Sequence, residues 1–173
     1  GGAIILTSAE RAKSMKKPPV YVLGAGVAVS HRFISCMADY TTSAAVQSGK
    51  EAYAMAGLGP KDVDVAELYD CFTITPIMFL EDLGFCPKGE GGRFVSDGNI
   101  APGGKFPVNT SGGGLSYCHP GHYGILLLVE ATRQLRGECG ARQVKDCEIA
   151  IANGNGGEFA TECTLLLGGP GTV

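Results

Sequence analysis

The chain has 173 residues, 45% of them hydrophobic and 18% charged, with a formal net charge of −3 at pH 7. That length and composition supply one well-buried core and exclude a disordered or fibrous polymer. The slightly acidic balance gives no broad attraction for nucleic acid or an anionic membrane, and the run "YGILLLVEA" falls far short of the roughly 20 apolar residues that cross a bilayer, so neither partner is expected.

In chain order, "GGAIILTSAERAKSM" reads as a short apolar strand followed by a helix, and it starts without a methionine, as a chain beginning in mid-protein would. "PPVYVLGAGVAVS" is rich in Val and bounded by Pro and Ser, the pattern of a buried strand. "TTSAAVQSGKEAYAMAGLGP" predicts a helix, with Thr41 to Ser43 as caps and Gly57 to Pro60 as its stop. "VDVAELYD" follows as a short strand, and "TPIMFLEDLG" as a short helix that tolerates Pro76 in its first turn. Phe85 to Phe106 is glycine-rich without a period and reads as a long surface loop. After Pro120 the positions Ile125, Leu128, Val129, Thr132 and Leu135 recur at helical spacing and end at Gly137. "CEIAIANG" and "TECTLLLGG" are two strands joined by a glycine-rich turn. The class is α/β, with a mixed sheet between helices.

Four places can carry chemistry. "YDCF" (Tyr69 to Phe72) ends a strand and precedes a helix, where α/β proteins commonly hold their sites; Tyr69 and Cys71 share one face of an extended segment and Asp70 takes the other. A tyrosine and a cysteine in an ordinary core would look the same. In "NTSGGGLSYCHPGHYG", Gly112, Gly113 and Gly114 mark a sharp turn or a close approach. Pro120 pushes His119 out of helical conformation and so to the start of the following helix, whose dipole favours a neutral imidazole. Such a ring can donate a hydrogen bond to a developing enolate while Tyr117 moves a proton, or it can simply cap the helix. "NGNGGEF" holds Asn153 and Asn155 among glycines, as a tight turn also would. "GAGVAV" lacks the third glycine of a dinucleotide fingerprint, and "GEGG" lacks the Lys-Ser/Thr of a phosphate loop.

Seven cysteines (Cys36, Cys71, Cys86, Cys118, Cys139, Cys147 and Cys163) form an odd set without CxxC spacing or a preceding signal segment. Free thiols in a reducing cytoplasm are expected. Cys118, His119 and His122 lie close in sequence, but no second pair completes four zinc ligands, so no metal is expected.

The ordered motifs "VDVAELYDCFTIT", "GFCPKGEGG", "GGKFPVNTSGGG", "CHPG" and "NGNGG" resemble the C-terminal half of the thiolase superfamily, above all the sterol-carrier-protein-linked thiolases. The resemblance implies a mixed sheet of about five strands flanked by helices, doubled by a similar N-terminal domain. Residues 1–16 would end that N-terminal half and residues 17–173 would form the C-terminal domain. It also implies a homodimer and an acyl-CoA substrate, with no cofactor beyond the coenzyme A that the substrate carries. Cys71 matches the acid/base cysteine and His119 the histidine of a "GHP" motif whose glycine is here Cys118. Substrate contacts are expected from Gly112, Gly113, Asn153 and Gly156.

The departures matter as much. Tyr69 stands where sterol-carrier thiolases usually have His, Tyr117 is foreign to a thiolase, and "NGNGG" lacks the late catalytic cysteine of ordinary thiolases. The paired tyrosines with "CHPG" are similar to the thiolase-like aldolases of bacterial steroid side-chain degradation, which cleave a β-hydroxyacyl-CoA beside an OB-fold partner protein. On that likeness His119 donates to the thioester oxygen and Tyr117 or Tyr69 takes the hydroxyl proton. An acetyl-CoA acyltransferase and a non-catalytic acyl-CoA or lipid-binding subunit are the alternatives.

Overall fold

A computed structural model describes all residues from Gly1 to Val173. Four strands, β1 (Tyr21–Val29), β2 (Val65–Leu68), β3 (Ile149–Gly156) and β4 (Thr161–Gly168), form one sheet in the order β1-β4-β3-β2. β1 and β3 each run antiparallel to β4, and β2 runs parallel to β3, so the sheet is mixed. The α/β class stands, with four strands where about five were expected. What remains of a fifth is one bridge beside β2, between Ala66 and Val108. Ala66 N–H donates to Pro107 O at 3.2 Å and Asn109 N–H to Ala66 O at 2.9 Å. Pro107 has no N–H with which to extend that ladder.

Six helical segments surround the sheet: α1 (Ala9–Ala12), α2 (Ala45–Ala56), α3 (Ile74–Asp82), α4 (Gly91–Phe94), α5 (Gly113–Ser116) and α6 (Gly124–Leu135). None is long and apolar enough to cross a membrane. α2 buries Ala45, Ser48, Gly49 and Ala52, and ends at Gly57, whose φ of 67° closes it with a left-handed cap. It lies close on β1 because Gly24 and Gly26 have no side chains there: a Cβ on either would overlap the Ala52 or Ser48 carbonyl. Ala66, Leu68, Phe79, Leu80, Ile151 and Leu166 join Ala45 and Ala52 in the core on that face. α6 covers the other face, where Val65, Ala131, Leu135, Ala150 and Leu167 meet. β2 is buried along its whole length, between these two layers.

Three expectations change. No strand forms in the opening residues: Ile5 and Leu6 are 87% and 82% exposed, no strand partner pairs with them, and only the helical turn α1 follows, capped by Ser8. The segment from Phe85 to Phe106 is no open loop, because Phe106 packs against Phe85 and Phe94 (centroids 4.5 and 5.9 Å apart), folding α4 and a short 3₁₀ turn between them. The buried face of α6 is Leu127, Glu130, Ala131, Gln134 and Leu135, which shares only Leu135 with the expected stripe. Polar residues lie on that face because partners satisfy them. Glu130 receives Arg142 Nε and Nη2 at 2.8 and 3.0 Å, and Gln134 Nε2 donates to Thr110 Oγ1 at 2.8 Å.

A second polar group crosses the β3–β4 hairpin. Thr164 Oγ1 donates to Asn153 Oδ1 at 2.7 Å, and Asn153 Nδ2 donates to Glu162 Oε2 at 2.9 Å, with Ser48 Oγ of α2 at 2.7 Å from Thr164 Oγ1. Glu162 Oε1 has no partner, and burial pushes that carboxyl up to about 9.

Candidate active site

The parallel pair β2 and β3 delivers its next residues to one end of the sheet. Tyr69 leaves β2 with its N–H donating to Asn153 O at 3.0 Å, and Thr75 Oγ1 then donates to Tyr69 O and Phe72 O (3.0 and 2.8 Å), fixing the turn into α3. Asp70 points inward, 3% exposed, while Cys71 stays half-buried. From β3, Asn155 Nδ2 reaches Cys71 Sγ at 3.7 Å, and its Oδ1 accepts from Phe159 N–H at 3.1 Å.

The "NTSGGG" segment is tied to β2 from beneath. Asn109, at φ 50°, turns its Oδ1 onto Leu68 N–H at 2.7 Å. Thr110 Oγ1 lies 2.9 Å from Glu67 Oε1 and 2.8 Å from Glu130 Oε1, and Gln134 Nε2 donates to the same oxygen. One hydroxyl hydrogen cannot serve two carboxylates. Burial pushes Glu67 up to about 8, with Thr110 hydrogen bonds working against it and the Glu130 charge adding to it. The upward shift favours a proton on Glu67, which can then donate to Thr110 while Thr110 donates to Glu130. Burial also works to raise Glu130, but the hydrogen bonds from Arg142 and Thr110 and the Arg142 charge bring it below its usual value.

Beyond α5 the chain returns to the strand end. The Tyr69 ring is met edge-on by His119 (centroids 5.8 Å, planes 77° apart) and by Tyr123 (5.3 Å, 86°). Burial, then the charges of Cys71 and Asp70, raise the Tyr69 phenol, so it holds its proton at neutral pH. Burial raises Tyr123 further.

The structure thus sets the Tyr69 ring against His119 and Tyr123, with Cys71 two residues further along the chain beside Asn155. His119 does not stand at a helix start: α6 begins at Gly124, after a turn in which His122 takes φ 60°, so the dipole of that helix, which acts within its first turn, does not set the His119 ring. Tyr117 is 66% exposed, its hydroxyl donates to Ser111 O at 2.7 Å, and its ring borders a separate cleft of about 290 Å³ with Tyr123, Glu130 and Arg142. Asn153 is fully buried with both ends of its amide engaged, so it presents nothing to a substrate; Asn155, two residues on, occupies the site instead. Gly112 and Gly113 adopt φ 103° and 69°, and Gly156 ends β3 in an exposed position. Cys118, His119 and His122 form no cluster that could hold an ion, and all seven cysteines are free. The two largest clefts, about 870 and 790 Å³, both border Phe85 and Phe94 and contain none of the site residues. The sequence offers Asn155 beside Asn153 but gives no ground for assigning the contact to it, and it passes over Tyr123, which directly precedes the apolar run.

The frame is an α/β domain whose mixed sheet is covered on both faces, with Tyr69 and His119 in contact at its strand ends. Residues 26–169 match the family described as thiolase C-terminal domain-like, and the chain belongs to that family. It is 42% identical over 161 residues to an acetyl-CoA acetyltransferase of Methanothermobacter thermautotrophicus, covering 92% of this chain and 42% of that protein. It is 39% identical over 142 residues to the 17-hydroxy-3-oxo-4-pregnene-20-carboxyl-CoA lyase of Mycobacterium tuberculosis, covering 78% of this chain and 36% of that one. Among solved structures, the Ltp2-ChsH2(DUF35) aldolase superposes with a TM-score of 0.84 at 32% identity, covering 95% of this chain and 43% of that chain. The chain spans well under half the length of each.

Proposed function

We propose that the protein to which this domain belongs cleaves a carbon–carbon bond in a β-hydroxyacyl-CoA, of a steroid or lipid side chain, by a retro-aldol reaction. The observation that carries this is the proton-loaded Tyr69 phenol packed against His119, where the thiolase pattern calls for histidine. The kinship with a steroid-CoA lyase and an aldolase supports it.

Retro-aldol cleavage moves one proton from the β-hydroxyl to the α-carbon. The bond between the α- and β-carbons breaks, its electron pair enters the thioester as an enolate, and the β-carbon becomes a carbonyl. A phenol that keeps its proton serves as a relay: it accepts the hydroxyl proton as it gives its own to the α-carbon, and ends as it began. His119 donates to the thioester oxygen while negative charge builds there. Tyr117 is a second proton carrier at the rim, Cys71 an alternative acid/base group steadied by Asn155, and Gly112, Gly113 and Gly156 admit the substrate by close backbone approach. Coenzyme A enters with the substrate, and no separate cofactor is invoked. Homodimerisation, an OB-fold partner and a cytoplasmic location complete the proposal; the aldolase whose name joins Ltp2 to ChsH2 supports a partner protein.

A second reading, acyl transfer, is favoured by Cys71 with its Asn155 contact and by the acetyltransferase relative. Assaying the full-length protein decides between them. On a β-hydroxyacyl-CoA it should release a carbonyl compound and a shortened acyl-CoA. Acyl exchange with acetyl-CoA and no such cleavage would favour the transferase.

A further inference from the structure

We propose that Asp70 is a positioning residue: its carboxylate holds the loop that carries His119 in place beside Tyr69. Asp70 is 3% exposed and takes part in no ion pair. Its two oxygens instead accept from backbone, Oδ1 from Gly114 N–H at 2.7 Å and Oδ2 from Leu115 N–H at 3.2 Å. A buried carboxylate compensated only in this way fixes the donors as firmly as they fix it. The glycines of "NTSGGG" take their meaning from the same contact. Gly113 is buried at φ 69°, and a Cβ there would run into the Asp70 carboxylate, while one on Gly114 would lie 3.1 Å from Oδ1. Only glycine lets the backbone come this close.

The anchor stands four residues before His119, and the anchoring residue sits between Tyr69 and Cys71. One residue therefore sets two things at once: its backbone places the tyrosine and cysteine, and its side chain places the loop with the histidine. Without the carboxylate, the turn at Gly113–Ser116 keeps only local bonds: its short-range backbone ones and the Tyr117 hydroxyl on Ser111 O.

The test uses the full-length protein, with hydrogen exchange followed by mass spectrometry on the peptide covering residues 111–117. In Asp70→Ala those amides should exchange at least about tenfold faster, while the β3–β4 peptide exchanges as in the wild type, because the opening is local. Asp70→Asn keeps one acceptor and should fall between the two, and it carries the test if Asp70→Ala does not fold. In both variants kcat should drop on the order of 100-fold with KM within about threefold, as expected when a catalytic group is misplaced and not removed. A folded variant with unchanged exchange over residues 111–117 overturns the proposal, as does faster exchange with wild-type kcat. The turnover arm rests on the retro-aldol reading and the exchange arm does not: a wild-type protein without retro-aldol activity sinks that reading, and loop exchange then decides on Asp70.

Discussion

Replacing Tyr69 by Phe separates chemistry from architecture more cleanly than any other change at the site. The Tyr69 ring makes the contacts that pack it, edge-on to His119 and Tyr123, and Phe keeps both. Its hydroxyl has no hydrogen-bond partner within the chain, whereas its backbone N–H and C=O are held by Asn153 and Thr75 whatever the side chain. Stability should therefore stay within about 0.5 kcal/mol of wild type, the range of an ordinary surface change. A relay that loses its proton cannot pass one on. General acid–base groups contribute about 10²–10⁴ in rate, roughly 3–5 kcal/mol of barrier, so kcat for β-hydroxyacyl-CoA cleavage should fall by that factor. The assay is steady-state turnover of the full-length protein, alongside a thermal melt. Wild-type kcat in a fully folded Tyr69→Phe protein would falsify the relay and move the chemistry to Tyr117 or Cys71.

Tyr117→Phe should behave differently: loss of the hydroxyl bond to Ser111 O costs about 0.5–1.5 kcal/mol of stability, and a rate loss of 10²-fold or more per folded molecule would show that Tyr117 also moves protons. Glu67 and Glu162 have folded values raised to about 8 and about 9 from 4.5, so the folded state binds more protons than the unfolded one in between. Each group's contribution is then fully present below pH 4.5 and declines as pH rises toward its folded value, by up to about 1.4 kcal/mol per pH unit. Melting curves from pH 5 to 8 should show that decline, and Glu67→Gln with Glu162→Gln should flatten it; equal slopes in variant and wild type would refute the assignment. The 173-residue chain alone should turn over no acyl-CoA at an appreciable rate, because it spans well under half the length of its relatives, and robust turnover by it would show this domain to be sufficient.

The elements that the sequence announced are those whose cause is local. β1, β3 and β4 are Val-, Ile- and Leu-rich runs, β1 followed by Ser30 and the other two ended by glycine; α2 carries its stop at Gly57, and α3 carries Pro76 in its first turn. What stayed hidden depends on partners far along the chain. No local pattern places Glu130 and Gln134 inside, since Thr110 and Arg142 make that possible from outside the helix. The packing of Phe85 and Phe94 on Phe106 is likewise invisible to periodicity. At the site, the turn after β2 as a place for Tyr69 and Cys71 was legible from the strand's end, and the contact of His119 with Tyr69 agrees with the family likeness. The distance of His119 from the helix start was not legible, because that turns on His122 adopting φ 60°, which a histidine does not signal. Choosing Asn155 over Asn153 needed the cross-strand neighbours Glu162 and Thr164, which take up Asn153 completely.

Those same neighbours act as a key for the hairpin. Asn153 is aligned with Thr164 and bonded to both Thr164 and Glu162, so the amide finds its two partners in one alignment of β3 on β4. Slipping by one residue would turn the set toward the wrong face, and slipping by two would strand an amide and a carboxyl among apolar side chains at about 1–3 kcal/mol apiece. The aliphatic remainder of the two strands would tolerate either error. A few polar atoms, poor contributors to cohesion, thus hold the hairpin in one register, and the pairing of Leu68 with Asn153 across β2 and β3 then carries Asn155 to Cys71.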